Sequence, residues 1–289
     1  MNRRTFIKRL FTSALALFGL TGGTYYYARE IEPKMLRIRH QTIESTNIPE
    51  SFDGFRILQF SDTHIGYHYT INQLENLAAE INQLTPDLVV FTGDLVDHPD
   101  QFDWDDRISS CLQNITSKHG KYWIYGNHDH GGYGTDIVKQ VFDKSEFKLL
   151  QNSHTILQKN DDKIVLAGVD DALLGDPSVT NAVSNQAEHY FTILLAHEPD
   201  YADSVSQYPI DVQLSGHSHG GQVQIPFVGY VYTPYLAEKY VEGEYQIGQY
   251  PLQLHVSRGI GTTRLPYRFL CRPEMTVFQL SSTSHTNGG

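Results

Sequence analysis

Phe55-Arg56-Ile57-Leu58-Gln59-Phe60-Ser61-Asp62-Thr63-His64 is the stretch on which the fold turns. The run from Phe55 to Phe60 has the length and apolar character of a buried strand. A carboxylate and an imidazole follow it at once, in Asp62-Thr63-His64. Further on, Leu74, Leu77, Ala78, Ile81 and Leu84 recur at helical spacing. They predict an amphipathic helix from Ile71 to Leu84, which Pro86 terminates. Asp87 to Phe91 is again strand-like, Trp104 to Ile115 again helical, and Tyr122 to Tyr125 makes a third strand. Strands alternating with helices imply parallel β-α-β units, so the expected class is α/β.

Working outward, further strand-like runs fall at 163–169, 191–196, 212–214, 252–256 and 275–280. Upstream, residues 30–53 form a lead-in in which Leu36, Ile38 and Ile43 alternate with polar neighbours. Glycine-rich breaks occur at 131–134 and 220–221, and no internal repeat is visible. The expected organisation is a leader over 1–29, one domain over 30–280 and a polar tail over 281–289.

Nearly every strand delivers chemistry at its end. The first is followed by Asp62-Thr63-His64, the second by Gly93-Asp94, the third by Gly126-Asn127-His128-Asp129. His197 follows the strand that starts at Phe191, and Gly216-His217-Ser218-His219-Gly220 follows the one that starts at Val212. In parallel α/β sheets, ligand sites gather beyond the carboxyl ends of the strands. Core packing does not require five such segments. Hard oxygen donors mixed with neutral imidazoles suit Mn, Fe, Zn or similar divalent ions, and the lack of cysteines in these five segments argues against a closed structural zinc. Asp94 has two carboxylate oxygens and can bridge two ions, which would form a clamp for displacement at phosphorus.

The ordered set D-x-H, G-D, G-N-H-D, H and G-H-x-H resembles the calcineurin-like metallophosphoesterase superfamily. The match runs from Asp62 to His219, and Gly220-Gly221-Gln222, Ser257-Arg258-Gly259 and Pro273-Glu274 extend it. With the leader described below, the chain looks most like the YkuE/YaeI branch of bacterial phosphodiesterases. The resemblance implies a four-layer α/β/β/α sandwich of two mixed sheets. It implies two divalent metal ions, one on Asp62, His64, Asp94 and His219, the other on Asp94, Asn127, His197 and His217, with a metal-bridging hydroxide as the attacking group. It also implies that His128 is a catalytic histidine which is not a ligand, and that Asp129 is the acid which orients its ring.

Charge and composition narrow the partners. The chain has 289 residues, with 22 Lys and Arg against 33 Asp and Glu, for a net charge of -11. Arg3, Arg4, Lys8, Arg9 and Arg29 lie in the first 29 residues without any acid, so the rest is more acidic still. Such a body has no electrostatic footprint for duplex nucleic acid, although bound cations would let it take an anionic substrate. The leader joins Arg3-Arg4-Thr5-Phe6-Ile7-Lys8 to an uncharged, mostly apolar run from Leu10 to Ala28. That is an export signal of twin-arginine type, to be read by the twin-arginine export machinery, or an anchor of nearly bilayer length. Tyr25-Tyr26-Tyr27 reads as an interfacial aromatic belt. Cys111 and Cys271 read as two buried thiols rather than a disulfide framework.

Several readings stay open on the sequence. Arg258 is a candidate phosphate-binding residue, as is Arg268, against structural pairing with acids. His68, His98 and His130 lie close to ligand positions and are candidates for substrate contact. The leading function is hydrolysis of a phosphodiester or phosphoanhydride at the cell envelope, on a substrate that is lipid-linked or part of the cell wall. The alternatives are a UDP-2,3-diacylglucosamine-type pyrophosphatase of lipid A biosynthesis, a phosphomonoesterase, and a metal-binding surface protein without turnover.

Overall fold

Alternate residues of the strand Leu88–Phe91 face two different cores. Leu88 and Val90 join one apolar cluster, Val89 and Phe91 another. The period of two in a strand sends successive side chains to opposite faces, so this sheet is covered on both sides. The computed structural model describes residues 3–5, 19, 21–130, 135–248 and 250–283. The Leu10–Ala28 run therefore lies largely outside the described residues, as does the 131–134 glycine run. Among the described residues, no helix is long and apolar enough to cross a membrane.

One six-stranded sheet contains β1 (Arg37–Ser45), β14 (Glu274–Ser282), β2 (Arg56–Phe60), β3 (Leu88–Phe91), β4 (Lys121–Trp123) and β5 (Phe147–Leu149), in that spatial order. From β2 to β5 all pairings are parallel, while β14 runs antiparallel to β2. The second sheet contains β12 (Gly243–Ile247), β13 (Leu252–Val256), β9 (Val212–Ser215), β8 (Thr192–Leu195), β7 (Asp162–Gly168) and β6 (Ser153–Lys159). Its inner strands are parallel and its two edge pairs antiparallel. A hairpin of β10 (Gln224–Ile225) and β11 (Gly229–Tyr230) stands apart from both.

Three buried clusters separate four layers. Helix residues Leu74, Leu77, Ile81 and Phe142 pack on Leu58, Val89 and Phe91 outside the first sheet. Ile57, Leu88 and Val90 meet Leu166, Ile193 and Leu214 between the sheets. Val179, Ala182, Ala202 and Val205 cover Val165, Leu194 and Val256 outside the second sheet. This is the α/β/β/α sandwich of two mixed sheets that the resemblance implied. Gln59 is a polar pin in the middle layer, bonding from β2 to Thr92 Oγ1 (2.9 Å) and across to the Ser215 carbonyl (3.1 Å). It fixes the carboxyl ends of both sheets against each other.

The elements mostly fall where the pattern predicts them. The helix Ile71–Gln83 opens on a capping box between Thr70 and Gln73, which supplies about 1 kcal/mol. The second helix is shorter than expected, Arg107–Gln113, because Trp104 turns away to bond the Pro99 carbonyl and the Asp105 carboxylate takes the Arg107 N–H. The third strand stops at Trp123, and Ile124 to Gly126 run on toward the site. The lead-in is a true strand, β1, paired with β14 along its whole length. Cys111 and Cys271 are both buried and free.

Candidate metal centre and active site

Five strand ends meet at one edge of the sandwich. Asp62 and His64 follow β2, Asp94 follows β3, Asn127 follows β4, His197 follows β8, and His217 and His219 follow β9. Five of these seven residues have left-handed backbone: Asp62 (φ 54°), His64 (φ 42°), Asp94 (φ 64°), His217 (φ 66°) and His219 (φ 51°). Few non-glycine residues take such angles, and each instance costs about 1–3 kcal/mol. The strain sharpens each turn so that the side chain points back over the sheet edge. Gly126 makes room for it: a Cβ there would lie 2.3 Å from Asp94 Oδ1.

The side chains form two groups of close, buried donor atoms, Asp62-His64-His219 and Asp94-His197-His217. Asp94 Oδ2, in the second group, also reaches toward the first, lying 3.5 Å from His64 Nε2 and 3.2 Å from His197 Nε2. His64 Nε2 lies 3.0 Å from His219 Nε2. Two nitrogens each about 2.1 Å from one ion at a right angle are separated by about 3.0 Å. Asn127 Oδ1 and His197 Nε2 are buried with no hydrogen-bond partner among the described residues. Unpaired buried acceptors at the centre of a ligand cluster fit bound cations.

Outer contacts select which nitrogen faces inward. His197 Nδ1 lies 2.6 Å from the Thr92 carbonyl, and His217 Nε2 lies 2.9 Å from the Tyr235 carbonyl. His64 Nδ1 lies 2.9 Å from Asp97 Oδ1. Each contact leaves the other ring nitrogen for the cluster. The Asp62 carboxylate takes the His217 N–H (3.0 Å), and Asp94 Oδ1 takes the His128 N–H (2.9 Å). The acids are thereby tied to the loops they face.

Charge in this edge is strongly coupled. Burial opposes ionisation of Asp94, but the neighbouring His197 outweighs it and holds the carboxyl well below its usual range. Burial likewise disfavours the His197 imidazolium, which Asp94 nevertheless holds well above its ordinary value. Burial pushes His217 down to about 3, and it pushes His219 well below its usual value. His217 and His219 are therefore offered as neutral imidazoles beside an ionised carboxylate, whereas His197, paired with Asp94, has to release its proton to bind a divalent ion.

His128 sits beside the clusters, its ring 4.6 Å from that of His64 in an edge-on arrangement. Its Nδ1 lies 2.6 Å from the Asp97 carbonyl oxygen. The resemblance gave the orienting role to Asp129, but that carboxylate is turned to the backbone. It accepts the N–H groups of Asp94 (2.8 Å), Leu95 (3.0 Å) and Gly126 (3.0 Å). Burial and the charge of Asp94 raise Asp129 to about 7. In this structure the ring is oriented by Asp97, which the sequence reading passed over. Asp97 also holds His64, and its own carboxylate accepts from Thr263 Oγ1 (2.9 Å). Its position three residues after Asp94, on the same strand-end loop, was the available signal.

The remaining candidates divide. Arg258 is within ion-pair distance of Glu242 and Glu274, so its guanidinium is paired and does not face the cleft. Arg268 is fully buried and donates to the carbonyls of Arg258, Gly259, Gly261 and Cys271, bracing the loop behind Asp62. His130 Nε2 pairs with Asp170 Oδ1 at 2.7 Å, and His68 packs edge-on against Tyr67. His98 is the one of the three that borders the site, with Nε2 3.3 Å from Asp97 Oδ2. A narrow cleft of about 40 Å³ opens over the clusters, walled by Asn127, His128, Gln222, Tyr232, Pro234 and Arg264.

Comparison with known proteins gives the family. The calcineurin-like phosphoesterase family model matches residues 55–221. The chain is 46% identical to the metallophosphoesterase YkuE of Bacillus subtilis, over 98% of this chain and 99% of that one. It is 25% identical to phosphodiesterase YaeI of Escherichia coli, covering 94% and 98%. It is also 25% identical to the UDP-2,3-diacylglucosamine pyrophosphatase LpxG of Chlamydia trachomatis, covering 89% and 92%. The chain therefore belongs to the calcineurin-like metallophosphoesterase family and is a phosphoester hydrolase.

Proposed function

We propose that this protein cleaves a phosphodiester or phosphoanhydride with two divalent ions of Mn, Fe or Zn, and that it does so at the cell envelope. The carrying observation is Asp94 Oδ2, a single carboxylate oxygen within reach of both histidine clusters. Asp62, His64, Asp94 and His219 would hold one ion, and Asp94, Asn127, His197 and His217 the other. When bound, two such ions neutralise phosphoryl charge and acidify water.

The chain's own groups supply the rest. Arg264 is exposed at the cleft mouth and has no carboxylate partner among the described residues, so it is free to meet a phosphate oxygen. Asp97 keeps His128 Nδ1 occupied, which leaves Nε2 to hold a proton for the departing oxygen. Burial opposes the His128 imidazolium, but Asp94 and the Asp97 carbonyl outweigh it and raise its pKa. Tyr232 and Pro234 give one wall an apolar character, which favours a substrate with an apolar portion.

The test is turnover by metal-loaded protein of bis-p-nitrophenyl phosphate, p-nitrophenyl phosphate, a UDP-linked glycolipid and cell-envelope polymers. A diester or anhydride should be preferred. A strong preference for the monoester would replace this reading with a phosphomonoesterase. The leader supports export, and changing Arg3→Lys together with Arg4→Lys should retain the protein in the cytoplasm. Unchanged export would refute the twin-arginine route.

A further inference from the structure

The most exposed large apolar side chain among the described residues is Phe227, in a segment that also gives Gln222, Tyr232 and Pro234 to the cleft wall. From Gln222 to Ala237 the chain has no charged residue, in a protein with 33 acids. The β10–β11 hairpin falls in this stretch. Its turn is closed by Val228 N–H to the Ile225 carbonyl (3.0 Å), with Pro226 and Phe227 at the corners. Phe227 has φ 68°, an angle that favours glycine at this corner, and its side chain is fully exposed. Val228 is 74% exposed and Tyr235 66%. Folding alone gives no reason to hold a phenylalanine in strained backbone and aim it at water. An apolar patch of this kind marks an interaction surface.

Two observations indicate what covers it. The first is continuity with the leader. The hairpin is stitched to the following loop through Gln224 N–H to the Phe269 carbonyl (2.9 Å). On that same loop Tyr25 meets Tyr267 (ring centroids 5.5 Å), and Tyr27 meets Phe269 edge-on (6.5 Å). The described end of that run, at Tyr25 and Tyr27, therefore packs on the loop to which the hairpin is bonded. The second is charge. Between Gly261 and Pro273 there are three arginines and no acid. Two of the three are engaged with backbone carbonyls, and Arg264 is exposed with its guanidinium 5.1 Å from the Tyr232 ring centroid. An acidic protein thus presents here an uncharged apolar tip, exposed tyrosines and a free cation. Those are the features of interfacial binding to anionic lipid.

We infer that the β10–β11 hairpin docks on a bilayer of anionic phospholipid, with Phe227 and Val228 entering the acyl boundary and Arg264 at the headgroups. Tyr232 and Pro234 link the hairpin to the cleft wall, and the Tyr235 carbonyl holds His217. Docking thus brings the cleft mouth to headgroup level. The substrate class that follows is an amphiphilic phosphoester presented by the membrane, and this part rests on the phosphodiesterase reading above.

The test uses the full chain with vesicles of phosphatidylglycerol and phosphatidylethanolamine. In a Phe227→Trp variant, the added emission should shift to the blue and be quenched about twofold or more by lipids brominated near the headgroup. Emission that stays at the water-exposed wavelength while the chain sediments with the vesicles would overturn the docking. A Phe227→Glu, Val228→Glu double variant should lose about tenfold or more in kcat/KM on a phosphodiester lipid embedded in those vesicles. Its turnover of soluble bis-p-nitrophenyl phosphate should be unchanged. Equal rates of variant and parent on both substrates would refute the coupling of docking to catalysis. A doubled mass by light scattering without vesicles, abolished in the double variant, would make a second copy the occupant and refute the lipid. Failure of the parent on every soluble diester would instead count against the enzymatic reading, with the quenching result unaffected.

Discussion

The carboxyl edge of the sandwich and the β10–β11 hairpin depart from ordinary burial in opposite directions. The edge buries Asp62, Asp94, His64, His197 and His219 almost completely, while the hairpin leaves Phe227 fully in water. Both regions also contain non-glycine residues at positive φ. Away from both lie three apolar clusters that follow strand and helix periodicity. Stability comes from those clusters. The two exceptional regions work against it, and that opposition is what identifies them as functional.

The most severe way to break the comparison is at Asp94. Asp94→Asn replaces the shared carboxylate by a neutral amide, so turnover should be abolished and metal content should fall. In metal-free protein the same change breaks the buried Asp94–His197 pair, so its melting temperature should fall. Metal analysis, kinetics and thermal melts on one preparation check this. Retention of two ions with near-normal rate would remove Asp94 from the centre.

His128→Ala should come next. A positioned proton donor contributes about 10²–10⁴-fold, so kcat should fall within that range while both ions stay bound. The loss should shrink for a substrate with a good leaving group. An equal loss on good and poor leaving groups would assign His128 to charge stabilisation instead. Asp97→Asn should follow with a loss of about 10–100-fold, because its carboxylate positions His64, while the backbone carbonyl that holds His128 is kept. Unlike His128→Ala, it should also weaken metal binding, which titration calorimetry reads directly. Unaltered affinity would show that the Asp97 carboxylate does not hold His64 for the metal.

The His130–Asp170 pair lies near the site but belongs to the scaffold. Burial opposes the charge on Asp170, yet the hydrogen bonds from His130 and Gln151 bring its pKa down to about 2. His130 is raised against burial by the same partner. A depressed carboxyl stabilises above its unfolded value of about 4, and that contribution is lost as pH falls toward 2. A raised imidazole stabilises below its unfolded value of about 6.5, and that contribution fades as pH rises through its folded value. The pair should therefore help most between about pH 4 and 6.5. His130→Gln should cost about 1 kcal/mol in this window and less above it, with kcat retained. Melting curves across pH would expose an error if the difference grew with alkalinity.

The smallest effect should have the opposite sign. Phe227→Gly relieves a positive φ and removes no buried contact, so the soluble protein should gain stability by a few tenths of a kcal/mol up to about 1 kcal/mol. A loss in denaturant midpoint would show that Phe227 packs in the fold and would weaken the contrast between hairpin and core.

The α/β class was legible in the sequence because it depends on local pattern. Apolar runs of strand length, the helical spacing of Leu74 to Leu84 and the stop at Pro86 are all short-range signals. The candidate ligands were legible for a related reason: a carboxylate or imidazole directly after a strand is placed at the sheet edge by the strand itself. Contacts between segments were beyond that reach. Asp97 and Asp129 are both acids on neighbouring loops, and only the folded backbone turns the first toward His64 and His128 and the second toward three N–H groups. Arg258 could have met phosphate or acid, and the packing of Glu242 and Glu274 decided the matter. The strand β1 was hidden because one partly exposed alternation resembles a loop until β14, more than two hundred residues away, pairs with it. The role of the hairpin was hidden in the same way, since exposure is a property of the packed chain. Sequence determines what each segment is able to offer, and only tertiary structure decides which offers meet, because long-range neighbours share no local period.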